Sequence, residues 1–154
     1  HARLHMRHPR AKAAFHTHMP NATALSMLEG QPLAWAGQTA LKFYTRTAVD
    51  EHYNGLALDV SEGDRIAAAL GDADVLFLKN HGVMVVGPSI AEAWDDLYYL
   101  ERAAEVQLKA MSTGRALKPV SPDHGYGFSM EHLDSSHSCL AVDGGVTPLT
   151  PGAG

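Results

Sequence analysis

An α/β fold is the class this chain predicts, on three observations. Short apolar runs at residues 11–18, 75–78 and 83–86 have the length and composition of strands. Segments with apolar residues at helical spacing cover 21–28, 61–71 and 89–114. The two patterns follow one another along the chain, as they do where helices pack on a sheet.

At 154 residues the chain fits one domain with a proper core. Hydrophobic residues make up 45% and charged residues 19%, an ordinary globular balance that argues against wholesale disorder. The formal charge is −5 and the lysines and arginines are scattered, so neither a nucleic-acid backbone nor an anionic membrane is an expected partner. No apolar run approaches the ~20 residues that a spanning helix needs, and the start lacks signal-peptide architecture. A single cysteine, Cys139, cannot form an internal disulfide, which fits a reducing compartment and a cytoplasmic location. The enriched residue is histidine, with ten copies. The chain opens at His1 without Met, and Leu4 and His8 already share a helical face, so an N-terminal part of the domain is expected to be missing.

Residues 1–8 read as the end of a helix stopped by Pro9. His1, His5 and His8 share its stripe at metal-binding spacing, but with arginines interleaved the stripe reads better as a polar face. Residues 11–18 form a strand bounded by Pro9 and Pro20. Ala22, Leu25 and Leu28 then mark a helix that Gly30 closes. Residues 31–60 are irregular, with strand character at Phe43, Tyr44, Thr45, Thr47 and Val49 and a turn candidate at Tyr53-Asn54-Gly55. Trp35 lies in this stretch without a clear role. Ser61 is the expected N-cap of a helix running through Ile66 and Leu70 to Gly71.

Val75–Leu78 and Val83–Val86 flank Asn80-His81-Gly82 and read as a buried hairpin in which Gly82 serves the turn. Ser89 with Glu92 makes a capping box. The helix it opens carries Ile90, Ala93, Trp94, Leu97, Leu100, Ala104, Leu108 and Met111 as its apolar stripe and stops at Gly114. Trp94, Tyr98 and Tyr99 are expected in the core or at a subunit interface, and Met84 and Met111 in the core. Residues 119–154, rich in proline and glycine, read as a C-terminal tail with one short helical turn near residues 131–133, leaving 1–118 as the domain.

Phe15-His16-Thr17-His18 carries the chemistry. Residues i and i+2 of a strand point to one face, so His16 and His18 can converge on one ion at a zinc–nitrogen distance of about 2.0–2.1 Å. His81, in a tight turn at a strand end, is either a turn residue capping a carbonyl or the third imidazole of the same site.

The text around both sites is more specific than the spacing. His16-Thr17-His18 before a helix, then Lys79-Asn80-His81-Gly82, then Ala91-Glu92-Ala93-Trp94 opening a long helix, resembles the class II aldolase/adducin family over roughly residues 1–117. That resemblance implies a three-layer α/β/α sandwich around a mainly antiparallel central sheet, assembled as a homotetramer. It also implies that His16, His18 and His81 hold a divalent ion, as the matching histidines do in fuculose-phosphate aldolase and ribulose-phosphate epimerase. Zinc is the expected ion, with manganese or cobalt as substitutes.

Such an ion on three neutral imidazoles keeps open positions and polarises the carbonyl of a small hydroxy-carbonyl substrate. The expected activity is an aldolase-type lyase cleaving a C–C bond through a stabilised enediolate, with a sugar phosphate as one substrate class. Epimerisation, decarboxylation or a silent adducin-like oligomerisation module are the alternatives. The family's catalytic glutamate and phosphate loops would lie upstream of His1. Within the chain, Glu51 is a candidate acid/base and Tyr126 a possible counterpart of a C-terminal tyrosine in the relatives; Asp50 and His52 are weaker candidates.

Overall fold

Alternation of side chains along two central strands organises the molecule, seen in a computed structural model that describes residues 1–52 and 59–121. Strand β3 (Val75–Leu78) and strand β4 (Gly82–Gly87) are buried throughout and pair antiparallel, with Leu78 opposite Gly82. Val75, Phe77, Val83 and Val85 face one apolar cluster; Leu76, Leu78, Met84 and Val86 face another. Burial on both faces explains why these runs are apolar without a polar alternate. The expected hairpin is therefore present.

Two edge strands complete the sheet in the order β1-β4-β3-β2. Strand β1 (Ala13–Thr17) pairs antiparallel with β4, and strand β2 (Thr47–Asp50) pairs parallel with β3. A parallel pair needs a crossover, supplied by helix α4 (Val60–Leu70), which packs on β2 and β3. Helix α1 (Ala2–Arg7) lies against α4, and the two cover one face of the sheet. The other face is covered by helix α2 (Pro20–Ser26), helix α3 (Gln38–Leu41) and helix α5 (Ile90–Met111). The result is a helix–sheet–helix sandwich with two antiparallel pairings and one parallel pairing.

Several local expectations change. Strand β2 begins at Thr47, because Phe43 and Tyr44 sit in the turns that follow α3, a helix inside the stretch expected to be irregular. Phe43 is fully buried in the core, so its apolar character reflects packing and not strand pairing. The N-cap of α4 is Asp59, whose carboxylate accepts from the Glu62 N–H at 2.9 Å and from the Ser61 hydroxyl at 2.6 Å. Asp59 occupies the cap because a charged acceptor serves the helix N-terminus better than the hydroxyl two residues on. Gly71 ends α4 at φ 58°, as expected.

The long helix is the largest revision. Ser89 caps it and bonds Glu92, and 22 residues at about 1.5 Å each carry it along the sandwich. Its buried face, however, is Ala93, Asp96, Leu97, Leu100, Glu101, Ala103 and Ala104. Ile90, Trp94 and Tyr98 are more than half exposed, and Met111 is exposed as well, so none of these is core in this chain. Two buried acids thus stand where an apolar stripe was expected. Asp96 belongs to an ion network at the N-terminal end of β3: Arg46 bonds Asp96 at 2.6 Å and Asp74 at 2.8 Å, Arg10 bonds Asp74 at 2.9 Å, and Lys42 approaches Asp96 at 3.0 Å.

The contact between α1 and α4 is polar at its rim. Arg3 and Arg7 both reach Asp64, and their hydrogen bonds hold its carboxyl down at about 2. A lowered carboxylate pKa stabilises the folded state above the ordinary value near 4 and loses that contribution as pH falls through the lowered one. We therefore expect the Asp64 carboxyl to titrate near 2 by NMR. Asp64→Asn should remove that part of the acid dependence of the melting temperature; an Asp64 titration near 4 would show that the arginines do not hold it.

Candidate metal centre

Three histidines from two distant segments meet at one end of the sheet. His16 is the penultimate residue of β1 and pairs with Met84; His18 follows the last residue of the strand; His81 sits in the β3–β4 turn. Their ring centroids are 4.8–5.0 Å apart in all three combinations. One nitrogen from each ring lies within 4.8 Å of the other two, the only such group of histidine, cysteine or carboxylate residues among those described. The Nε2 atoms of His16 and His18 are 3.2 Å apart. Two nitrogens bound tetrahedrally at 2.0–2.1 Å would be separated by about 3.3 Å, so this pair already has the spacing of ligands on one ion.

Protonation states suit the same reading. His16 Nδ1 lies 3.1 Å from the Val83 carbonyl. Donation of its N–H to that oxygen leaves the Nε2 lone pair aimed into the cluster. Burial lowers the His16 pKa below the usual histidine range; the Val83 carbonyl partly opposes this, and repulsion from His81 and His18 adds to it. Burial, then repulsion from His18, lowers that of His81. Neutral imidazole is the form that binds a metal. The donor set therefore fits a borderline divalent ion, with three nitrogens and at least one coordination position open.

Local sequence explains the convergence. Asn80 takes φ 57°, a left-handed conformation that asparagine tolerates, and so makes the turn that Gly82 was expected to make. Gly82 answers a different need. A Cβ there would stand 2.5 Å from the Thr17 carbonyl oxygen and 2.8 Å from His18 Cδ2. Only a residue without a side chain lets β4 start this close to the end of β1.

The other candidates are placed elsewhere or lie outside the described residues. Glu51 is exposed at the C-terminal end of β2, its carboxylate 3.9 Å from the Lys79 ammonium, and does not join the histidine group. Asp50 is buried and bonds Arg65 at 2.8 Å and the His52 N–H at 3.1 Å, which makes it a structural ion-pair member. His52 points into solvent. His8 is buried, with Nδ1 accepting from the Arg10 N–H at 3.2 Å, and His5 Nδ1 contacts the Ala11 carbonyl, so the helical histidines do not converge. Trp35 packs on the core and stacks edge-on with Tyr44. Tyr126, the Tyr53-Asn54-Gly55 turn and the short helical turn near 131–133 lie outside the described residues.

Two buried charged residues that the sequence did not single out hold the segment between His18 and the β3–β4 turn. Glu101 on α5 accepts from the backbone N–H groups of Asn21 and Ala22, at 3.0 and 2.9 Å, and from the Asn21 amide at 2.7 Å. Lys79, buried before the turn, donates to the carbonyls of Leu28 and Gly30. Helical spacing held the signal for Glu101, which falls four residues after Leu97 and three before Ala104 on the buried face.

Fold and site together define a three-layer α/β protein with a tri-histidine centre at a sheet end. The sequence model described as "Class II Aldolase and Adducin N-terminal domain" matches residues 1–108, and the chain belongs to that family. A putative aldolase class 2 protein of Caulobacter vibrioides is 33% identical over 123 residues, which cover 80% of this chain and 47% of the relative. Among solved structures, an aldolase II superfamily protein from Pseudomonas syringae superposes with a TM-score of 0.78 at 32% identity, over 87% of this chain and 53% of that one. L-fuculose 1-phosphate aldolase from Glaciozyma antarctica gives a TM-score of 0.71 at 29% identity, over 85% and 48%. Names among the relatives also include Decarboxylase NovR of Streptomyces niveus and alpha-adducin of Rattus norvegicus, 33% and 31% identical over 75% and 73% of this chain. The chain spans less than half the length of these curated relatives.

Gly82→Ala tests the close approach. The added methyl must push β4 off the Thr17 carbonyl and turn the His18 ring, so affinity for a divalent ion should fall tenfold or more by competition titration, together with a lower melting temperature. Unchanged affinity would show that the centre does not depend on this contact.

Proposed function

We propose that this chain carries the metal centre of an aldolase-type lyase acting on a small hydroxy-carbonyl compound. The observation that carries the reading is the convergence of His16, His18 and His81. Similarity to L-fuculose 1-phosphate aldolase, with the same fold at 29% identity, supports a sugar phosphate as the substrate class. His16, His18 and His81 would hold zinc, or manganese or cobalt in its place. When bound, such an ion supplies Lewis acidity at a carbonyl oxygen and favours the negative charge that develops there as a C–C bond breaks.

This chain's own residues set the conditions for that chemistry. Three uncharged ligands leave the full positive charge of the ion to act on substrate, whereas carboxylate ligands would spend part of it. The Val83 carbonyl fixes the His16 ring. Partial exposure at the sheet end leaves a path for a small substrate to reach the open position, since His18 is exposed and the other two rings are half-buried. Proton transfer needs a further group; Glu51 is a candidate in this chain, although its approach to Lys79 also suits an ion pair. Tyr126 is the other. A homo-oligomer, with a tetramer as the family-based expectation, would bring further residues to each site.

Decarboxylation is the second reading, favoured by the relative named Decarboxylase NovR, which is 33% identical to this chain. It uses the same polarised carbonyl and differs in which bond breaks. Alpha-adducin, 31% identical, represents a third outcome in which the fold would serve assembly alone.

Elemental analysis separates the metal readings from the silent one. The purified chain should carry about one divalent ion per protomer, and His81→Ala should lose it; the absence of stoichiometric metal, with His81→Ala indistinguishable from wild type, would sink the enzyme reading. Protons compete for the ligand nitrogens, and burial lowers the pKa of His16 and His81 below about 6.5, so occupancy should hold at neutral pH and fall below about pH 6. Full occupancy at about pH 4.5 would contradict imidazole ligation.

A further inference from the structure

Helix α2 starts two residues after His18 at Pro20, and its last residue, Ser26, accepts the Asn80 N–H through its carbonyl at 3.2 Å. It therefore spans the gap between the segment carrying two of the histidines and the turn carrying the third. Both ends are held by buried charges from other elements. Glu101 of α5 accepts three N–H groups at the positive N-terminal end, where α2 has no side-chain cap of its own. Lys79 donates to the Leu28 and Gly30 carbonyls in the turn that closes the negative end. The signs match the helix dipole at both ends.

A local serine or aspartate would cap the same N–H groups without burying a carboxylate on a helix 80 residues away. The arrangement fits a different task, which is to fix α2 against α5 at one end and against the β3–β4 turn at the other. We propose that Glu101 and Lys79 are positioning residues of the metal centre, clamping α2 as a strut that sets His18 at its working distance from His81. The inference rests on the tri-histidine metal reading. Neither residue belongs to the histidine group; each would act through the backbone that carries a ligand.

Cobalt(II) binding to the full chain tests this, since its visible d–d bands report ligand geometry independently of activity. Glu101→Gln keeps the side-chain shape but removes the charge and one acceptor oxygen. It should weaken cobalt binding tenfold or more and alter the bands, the size of effect expected when groups behind metal ligands are changed. Leu70→Ala, in the cluster on the other face of the sheet, should lower the melting temperature while leaving affinity and spectrum as in wild type. Lys79→Met probes the strut from its opposite end and should reproduce the Glu101→Gln effect, including where Glu101→Gln fails to fold. Wild-type affinity and spectrum in either folded variant would overturn the inference and leave its residue a helix cap alone. A wild-type chain that binds no cobalt would overturn the metal reading and this inference with it.

Discussion

Backbone contact between the end of β1 and the start of β4 governs the histidine centre, because rings from two distant segments can share one point only in a single strand register. That register places Thr17 opposite Val83, and so brings His18 alongside Gly82. A slip of one residue would turn His16 and His18 to the other face. The apolar alternation of Ala14, Phe15, Val85 and Val86, sorted between two clusters, forbids that slip at the cost of several buried side chains. Core packing and site geometry are therefore one constraint.

The two ends of the sheet have divided roles. At the N-terminal end of β3, the cations of Arg10, Arg46 and Lys42 are neutralised by Asp74, Asp95 and Asp96, a mutually satisfied network that ties α5 to the loops below the sheet. At the C-terminal end the three histidines stand together with a face open to solvent, and burial lowers the basicity of His16 and His81. Like groups held in close proximity are an unfavourable arrangement for an apoprotein, and the surrounding contacts must supply the stability that the site does not. The link between the ends is α5, whose buried acids serve both: Asp96 the ion network and Glu101 the helix beside the centre.

Much of this was legible in the sequence. Strands β3 and β4 announced themselves as apolar runs around Asn80-His81-Gly82, and the strand that holds His16 and ends just before His18 followed from the prolines that bound it, although it is shorter than the 11–18 expected. Family membership, the sandwich and the convergence of three histidines all agree with that reading. What the sequence hid were interactions that cross the fold. Asp59 outcompetes Ser61 as a cap through local charge, a close contest in sequence. Trp94, expected in the core or at a subunit interface, is not core: it lies on the exposed side of α5, against the edge residue Phe15. Helical spacing places Glu101 on the buried face, but the partners of Glu101 and Lys79 are largely backbone groups, which no side-chain pattern displays.

The central claim is that His16, His18 and His81 bind one ion together. X-ray absorption at the zinc edge of the zinc-loaded chain tests it most directly, because multiple scattering counts imidazole ligands. Three imidazoles at about 2.0–2.1 Å are expected, with the remaining coordination made by oxygen. Two or fewer imidazoles, or a sulfur ligand from Cys139, would contradict it.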